Sequence, residues 1–181
     1  RRGDRKVNGQ LQTGAPNISA VGNAVVVDCF VTGKKTYIPL AGPANKQARI
    51  AANTLAGIND SYKGSQGSSI LKCFDMTVAV TGINENTAKA EGIDHGIIIV
   101  NANSHAGYYP GAEQMWIKVV FASHDGKILG AQIVGGNGVD KRSDVFATAI
   151  RAGMTAEDLT EIDQVYAPPY SSTKDHGNVA G

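Results

Sequence analysis

Gln114-Met-Trp-Ile-Lys-Val-Val-Phe-Ala-Ser123 and Lys127-Ile-Leu-Gly-Ala-Gln-Ile-Val134 flank the pair Asp125-Gly126, and this arrangement decides the fold class. Asp-Gly between runs rich in β-branched and aromatic residues is among the strongest short-range hairpin signals, since both residues tolerate the left-handed backbone of a tight turn. An antiparallel pair therefore lies in the second half of the chain. Upstream, His95 to Asn103 reads as a further strand and residues 70–81 are β-rich. Between them, Asn84-Glu-Asn-Thr-Ala-Lys-Ala-Glu-Gly92 has the marks of a short helix, with Asn84 as N-cap and Gly92 as its stop. Downstream, residues 139–152 place Val145, Phe146, Ala149 and Ile150 on one stripe at helical spacing and end at Gly153. Thr155 is positioned to cap a second short helix. The economical packing of these parts is α+β, an antiparallel sheet with helices on one face. Gly135-Gly-Asn-Gly138 precedes the long helix, but its spacing fits neither Gly-x-Gly-x-x-Gly nor the P-loop, so a plain strand-to-helix turn is the better reading.

The first third has a different character. Residues 13–24 lead from a Pro16 turn into a short apolar strand ending at Gly22-Asn23, where a backbone could approach a ligand and an amide could bind a hydroxyl; an ordinary strand exit is the simpler reading. Residues 25–31 continue as a strand. Residues 44–56 form a helix of good helix formers stopped by Gly57. Gly, Ser, Asn and Asp then crowd residues 59–69, a linker composition. The expected division is residues 1–60, a linker at 61–69 and a second domain at 70–181.

Composition limits the function. The chain has 181 residues, 42% hydrophobic and 18% charged, with net charge +1, so nothing in its charge favours nucleic acid or an anionic membrane. Its apolar runs are too short or too interrupted to span a bilayer, and no signal-peptide pattern opens it, so a cytoplasmic location is expected. The Arg2-Gly3-Asp4 triplet is too common to mark adhesion. Cys29 and Cys73 stand apart without a Cys-x-x-Cys or a Cys/His cluster, so no metal site is indicated and both are expected to pack as small hydrophobes.

Two loops carry chemistry. His105-Ala-Gly-Tyr108-Tyr109-Pro110-Gly111-Ala112 holds two phenols and a histidine, and Tyr166-Ala-Pro168-Pro169-Tyr170-Ser-Ser-Thr-Lys174 is kept extended by its prolines. Phenols near pKa 10 can donate protons or hydrogen bonds, and rigid loops can aim them. Packing at an interface with the hydroxyls wet is the competing reading.

Taken together, Ile38-Pro-Leu-Ala-Gly-Pro-Ala-Asn-Lys-Gln47, the two tyrosine loops, residues 126–134, Val139-Asp-Lys-Arg142 and residues 147–154 resemble the C-terminal part of the flavin-dependent pyridine nucleotide-disulfide oxidoreductases. The similarity is greatest to the coenzyme A-disulfide reductase and NADH oxidase branch, and it runs from about Val7 to Gly181. It implies that residues up to about 60 are the last piece of an FAD-binding domain and that the rest is a dimerisation domain. It places Gly22, Asn23, Leu40 and Ala41 beside the cofactor and Asn45 and Lys174 beside coenzyme A. Tyr108 and Tyr166 become catalytic residues acting across a homodimer interface on the partner's coenzyme A-type disulfide. The family has an acidic residue where Asn23 stands, and the His-Pro-Thr segment of the glutathione-reductase branch is absent.

No Gly-x-Gly-x-x-Gly opens a strand-helix unit, and neither cysteine sits in the family's redox motif. FAD and NAD(P)H are therefore expected in a full-length parent and not on this chain, which by itself should associate but not turn over substrate. The alternative is a non-catalytic homodimeric interaction module that has lost the redox chemistry. Coenzyme A disulfide, polysulfide and dioxygen stay open as acceptors, as do NADH and NADPH as donors. Residues 1–60 are expected to rearrange, move or lean on another subunit without the rest of their parent domain.

Overall fold

A computed structural model describes residues 5–181 and divides the chain into two compact units, one ending at Gly67 and the other Ser68–Gly181. The Arg2-Gly-Asp4 triplet lies outside the described residues.

In the first unit, Val25–Asp28 (β2) pairs in parallel with Arg5–Lys6 (β1) and antiparallel with Lys35–Thr36 (β3). Val25 and Val27 alternate inward along β2, and Ile50 and Ala51 of Ala41–Leu55 (α1) meet them with Val7 and Leu11 in a closed core. The expected rearrangement is thus not seen, because this stretch buries an apolar cluster of its own. The strand expected over residues 18–22 is also not formed and shrinks to a single bridge between Gln12 and Ser19. Local bonds compete with it: Asn8 Oδ1 accepts from the N–H groups of Gln10 and Gln12, and the Thr13 hydroxyl donates to Ile18 O. Gly22–Ala24 is a 3₁₀ turn instead. α1 begins at Ala41, three residues before the expected start, because Pro43 falls in the first turn, where a missing N–H costs nothing. Residues 62–65 return across this unit, Tyr62 N donating to Gly9 O, Ser65 N to Asp28 O and Phe30 N to Ser65 O.

The second unit is built on a five-stranded antiparallel sheet of Ser69–Cys73 (β4), Met76–Gly82 (β5), His95–Asn103 (β6), Gln114–Ala122 (β7) and Ile128–Gly135 (β8), in the order β4-β5-β8-β7-β6. The Asp125-Gly126 turn joins β7 to β8 as expected, with Gly126 at φ 71°. Glu85–Ala90 (α2) is capped by Asn84, whose Oδ1 accepts from Thr87 N at 2.8 Å. Val139–Ala152 (α3) lies on β5 and β8, and His176–Ala180 (α4) on β6. The cross-strand row Ala79, Ile133, Ile117 and Val100 is buried on the helix side. On the other face, Leu71, Val78, Val134 and Trp116 form one row and Val80, Gln132, Lys118 and Ile99 the next, and Leu71, Val80, Trp116 and Ile99 are exposed.

Residues 70–81 are a hairpin rather than one β-rich segment. They turn at Phe74-Asp75, with Phe74 in a left-handed conformation (φ 52°) that its side chain gives no reason to expect. Cys73 is consequently exposed at the hairpin end, correcting the expectation that it packs inside, whereas Cys29 is buried. The element after Thr155 is a 3₁₀ turn over Glu157–Glu161, although Thr155 still caps it: Asp158 N donates to Thr155 Oγ1 and Thr155 N to Asp158 Oδ2.

Two features test this packing. Gly130 on β8 passes so close to the next segment that a Cβ there would lie 1.8 Å from Ile83 O. Gly130→Ala should therefore cost about 3 kcal/mol, at the upper end of overpacking penalties, read as a fall in the urea midpoint. Glu85 receives hydrogen bonds from Lys118 first and Lys89 second, which bring its carboxyl down to about 2 from 4.5. A folded value below the unfolded one means stabilisation that is complete above the unfolded pKa and lost as pH falls towards the folded one. The melting-temperature deficit of Glu85→Gln should accordingly be largest near neutrality and shrink between about pH 4.5 and pH 2.

Candidate functional site

The β6–β7 connection, residues 104–113, is shaped by its own side chains. Ser104 N donates to Glu113 O at 2.7 Å, and Glu113 N donates to Ser104 Oγ at 3.2 Å, so the loop is closed at its root. His105 spans its interior: Nε2 donates to Pro110 O at 3.3 Å, which leaves Nδ1 to accept from Ser104 Oγ in the neutral ring. The imidazole meets the Tyr109 ring edge-on at 5.8 Å, and Tyr109 N donates to Ala106 O. Tyr109 and His105 therefore build the loop and turn Tyr108 outward.

The second tyrosine segment folds on itself after its prolines. Tyr170 N and Ser171 N both donate to Ala167 O, and the buried Ser171 returns its hydroxyl to Val165 O at 2.8 Å. Ala106 N donates to Ser171 O at 3.1 Å, tying this segment to the Tyr108 loop. Tyr108 and Tyr166, 58 residues apart in sequence, end with their phenol oxygens 3.1 Å from each other. Both rings remain open to solvent, Tyr108 at 77% and Tyr166 at 45%. The hydrogen bond to Tyr108, with lesser help from desolvation and from the neighbouring phenol's charge, pushes the Tyr166 phenol above its ordinary value. Such a pair holds a proton that can be passed to a basic atom placed against it.

Beneath the loops lies a buried ion pair, Arg142 with Asp175, that no sequence pattern announces. Arg142 Nε and Nη2 hold Asp175 Oδ1 and Oδ2 at 3.1 and 2.6 Å, with the two side chains 2% and 1% exposed. Nη2 also donates to Ser104 O at 2.8 Å, and Nη1 to Gly138 O at 3.3 Å. Burial works against the charge of Asp175, yet its carboxyl is held well below the usual range. His176 Nδ1 stands 3.8 Å away, beyond hydrogen-bond reach, so the bidentate guanidinium is the effective cause. The glycine turn before α3 is filled from within the chain: Asn137 N donates to Glu113 Oε2 at 2.8 Å.

The other expected site residues divide between the units. Gly22, at φ 70°, donates its N–H to the buried Gln47 Oε1 at 2.7 Å, and a Cβ on it would meet Ala44 at 3.6 Å. This fixes Gly22 and the exposed Asn23 beside the first turns of α1. Leu40 is the N-cap of α1 and makes no side-chain cap bond; Ala41 lies exposed in the first turn and Asn45 exposed at the start of the second. The free first-turn N–H groups and the Asn23 amide are the donor set that a polyol or carbonyl edge would need. Lys174 lies exposed in the second unit, next to Asp175.

Comparison with known proteins places this geometry. Residues 68–176 match the family model described as pyridine nucleotide-disulphide oxidoreductase, dimerisation domain. The chain belongs to the pyridine nucleotide-disulphide oxidoreductases. Within them it resembles the coenzyme A disulfide reductases: that of Staphylococcus haemolyticus is 38% identical over 181 residues, covering 99% of this chain and 41% of that protein. The structure of reduced Bacillus anthracis CoADR-RHD superposes with TM-score 0.95 at 52% identity, over 99% of this chain and 32% of that one. The water-forming NADH oxidase from Lactobacillus brevis superposes with TM-score 0.93 at 26% identity, over 98% and 40%. The chain thus spans about two fifths of the length of the curated relatives it matches. No helix among the described residues is long and apolar enough to cross a membrane.

Removing the Tyr108 hydroxyl should release the Tyr166 phenol. In Tyr108→Phe the Tyr166 titration, followed by the absorbance of tyrosinate near 295 nm, is expected to move down towards the ordinary value of about 10. A titration unmoved by the substitution would contradict the hydrogen bond between the two phenols.

Proposed function

We propose that this chain is the C-terminal, dimerisation portion of an FAD- and NAD(P)H-dependent reductase of coenzyme A-type disulfides. In this reading it lends Tyr108 and Tyr166 to the active site of the partner subunit and does not catalyse by itself. The observation that carries the reading is the phenol pair, brought to 3.1 Å on two solvent-open loops that are stitched to each other. Interface packing alone asks for no such convergence of hydroxyls. Reduction of a disulfide releases a thiolate, and a donor placed against that sulfur stabilises it and returns its proton. A homodimer is supported by the family's dimerisation domain and by the apolar outer face of the sheet, where Leu71, Val80, Trp116 and Ile99 lie open. A cytoplasmic location fits the relatives' chemistry.

When bound, FAD would supply the reducing electrons, taken from NAD(P)H. The residues of this chain that would face it are Gly22, Asn23, Leu40 and Ala41, with Asn45 and Lys174 positioned for coenzyme A. Asn23 can bind a hydroxyl of the cofactor, although it lacks the carboxylate of the family pattern. That same substitution favours the second reading, a homodimeric interaction module without redox chemistry.

A hybrid dimer tests the first reading. One full-length subunit carries Tyr108→Phe and Tyr166→Phe, and the other lacks the redox cysteine of its flavin domain. Each homodimer should turn over coenzyme A disulfide at least about 10²-fold more slowly than the parent, the scale of a lost proton donor. Mixing the two should restore activity, since one intact site then forms with tyrosines from the opposite subunit. A hybrid as inactive as its parents would refute action across the interface, and an active tyrosine-free homodimer would refute the role altogether.

A further inference from the structure

The Tyr108 phenol stands largely in solvent and Tyr166 is about half exposed, so packing around the rings is not enough to set their spacing. It must come from the backbones that carry them. One link between those backbones is the hydrogen bond from Ala106 N to Ser171 O, and a single bond of this kind acts as a hinge. A second point of attachment is needed to fix a direction.

Arg142 provides that point. Its guanidinium touches Ser104 O, at the root of the Tyr108 loop, and both oxygens of Asp175, at the far end of the segment that begins with Tyr166. It also holds Gly138 O at the start of its own helix, so both loops are referred to the rigid α3 and through it to the sheet. We propose that Arg142 is the positioning residue of the phenol pair, setting the distance between Tyr108 and Tyr166 by clamping the root of the Tyr108 loop to the far end of the Tyr166 segment. The proposal rests on the reading of these phenols as the groups the chain lends to catalysis. The planar fork is essential to it: lysine would keep the charge at position 142 but is a point donor that cannot grip Ser104 O and both carboxylate oxygens in fixed geometry.

The experiment uses the 181-residue chain with ¹³C at the tyrosine Cζ positions and at the isoleucine methyl groups. Phenol titrations of Tyr108 and Tyr166 are followed by NMR in the parent chain and in Tyr108→Phe, Arg142→Lys and Asp175→Asn. The buried methyls of Ile117 and Ile133 report in the same samples whether the sheet is folded. In folded Arg142→Lys and Asp175→Asn, the Tyr166 midpoint is expected to fall to that of Tyr108→Phe. An unchanged midpoint in either folded variant overturns the proposal. Loss of the sheet methyl signals in both variants also overturns it, because Arg142 would then hold up the fold rather than the site. This readout concerns spacing and not turnover. If the hybrid dimer fails to regain activity while the phenol coupling collapses in Arg142→Lys, the catalytic reading falls and the positioning role stands.

Discussion

A guanidinium shut away from water must find an oxygen for each N–H it buries, or the cost of desolvation goes uncompensated. Arg142 makes four such bonds to three partners: a carboxylate from the C-terminal segment, a carbonyl at the end of β6 and a carbonyl of the turn before α3. Each partner lies where regular structure ends, Ser104 just past β6 and Gly138 and Asp175 at the N-caps of α3 and α4. The strand ladder could form without this contact, since the row Ala79, Ile133, Ile117 and Val100 is held by burial. The arrangement of the loops above it could not.

Rigidity and chemistry are thereby kept in different parts of the second unit. The sheet supplies a fixed reference, and the residues able to move a proton sit on turns whose shape depends on a few polar contacts. Within the Tyr108 loop, His105 and Ser104 spend their hydrogen bonds on the backbone, which frees Tyr108 to face outward. In the first unit the same division recurs at smaller scale: Gln47, a buried residue of α1, gives its amide oxygen to the Gly22 N–H and leaves the neighbouring Asn23 open.

Much of this was legible in the sequence where local chemistry and burial agree. Asp125-Gly126, the Asn84 cap and the Val139–Ala152 stripe each carry a local rule that the tertiary structure does not override. The failures have the opposite cause. Phe74 turns a hairpin from a left-handed position that its side chain disfavours, so no turn signal announces the break between β4 and β5. The strand anticipated over residues 18–22 is reduced to a bridge in a turn-rich stretch where side chains of Asn8 and Thr13 bond to the local backbone, a competition that apolar pattern cannot register. The short C-terminal helix is five residues long, below the length at which periodicity speaks. Of the site, the tyrosines stood out because phenols on proline-bearing loops are conspicuous. The Arg142–Asp175 pair did not, since two charged residues 33 apart give no hint that they will be buried together.

The glycine turn ahead of α3 has a consequence for how this sequence can drift. Gly136 looks replaceable, a small residue in a surface turn, yet a Cβ there would lie 1.7 Å from Glu113 Oε2. That carboxylate is the one accepting from Asn137 N. A side chain at 136 would have to evict Glu113, and a shortened residue at 113 would leave the turn's N–H without its anion. Substitutions at the two positions should therefore travel as a pair among descendants of this chain, a coupling between a loop root and a helix approach that are 23 residues apart in sequence.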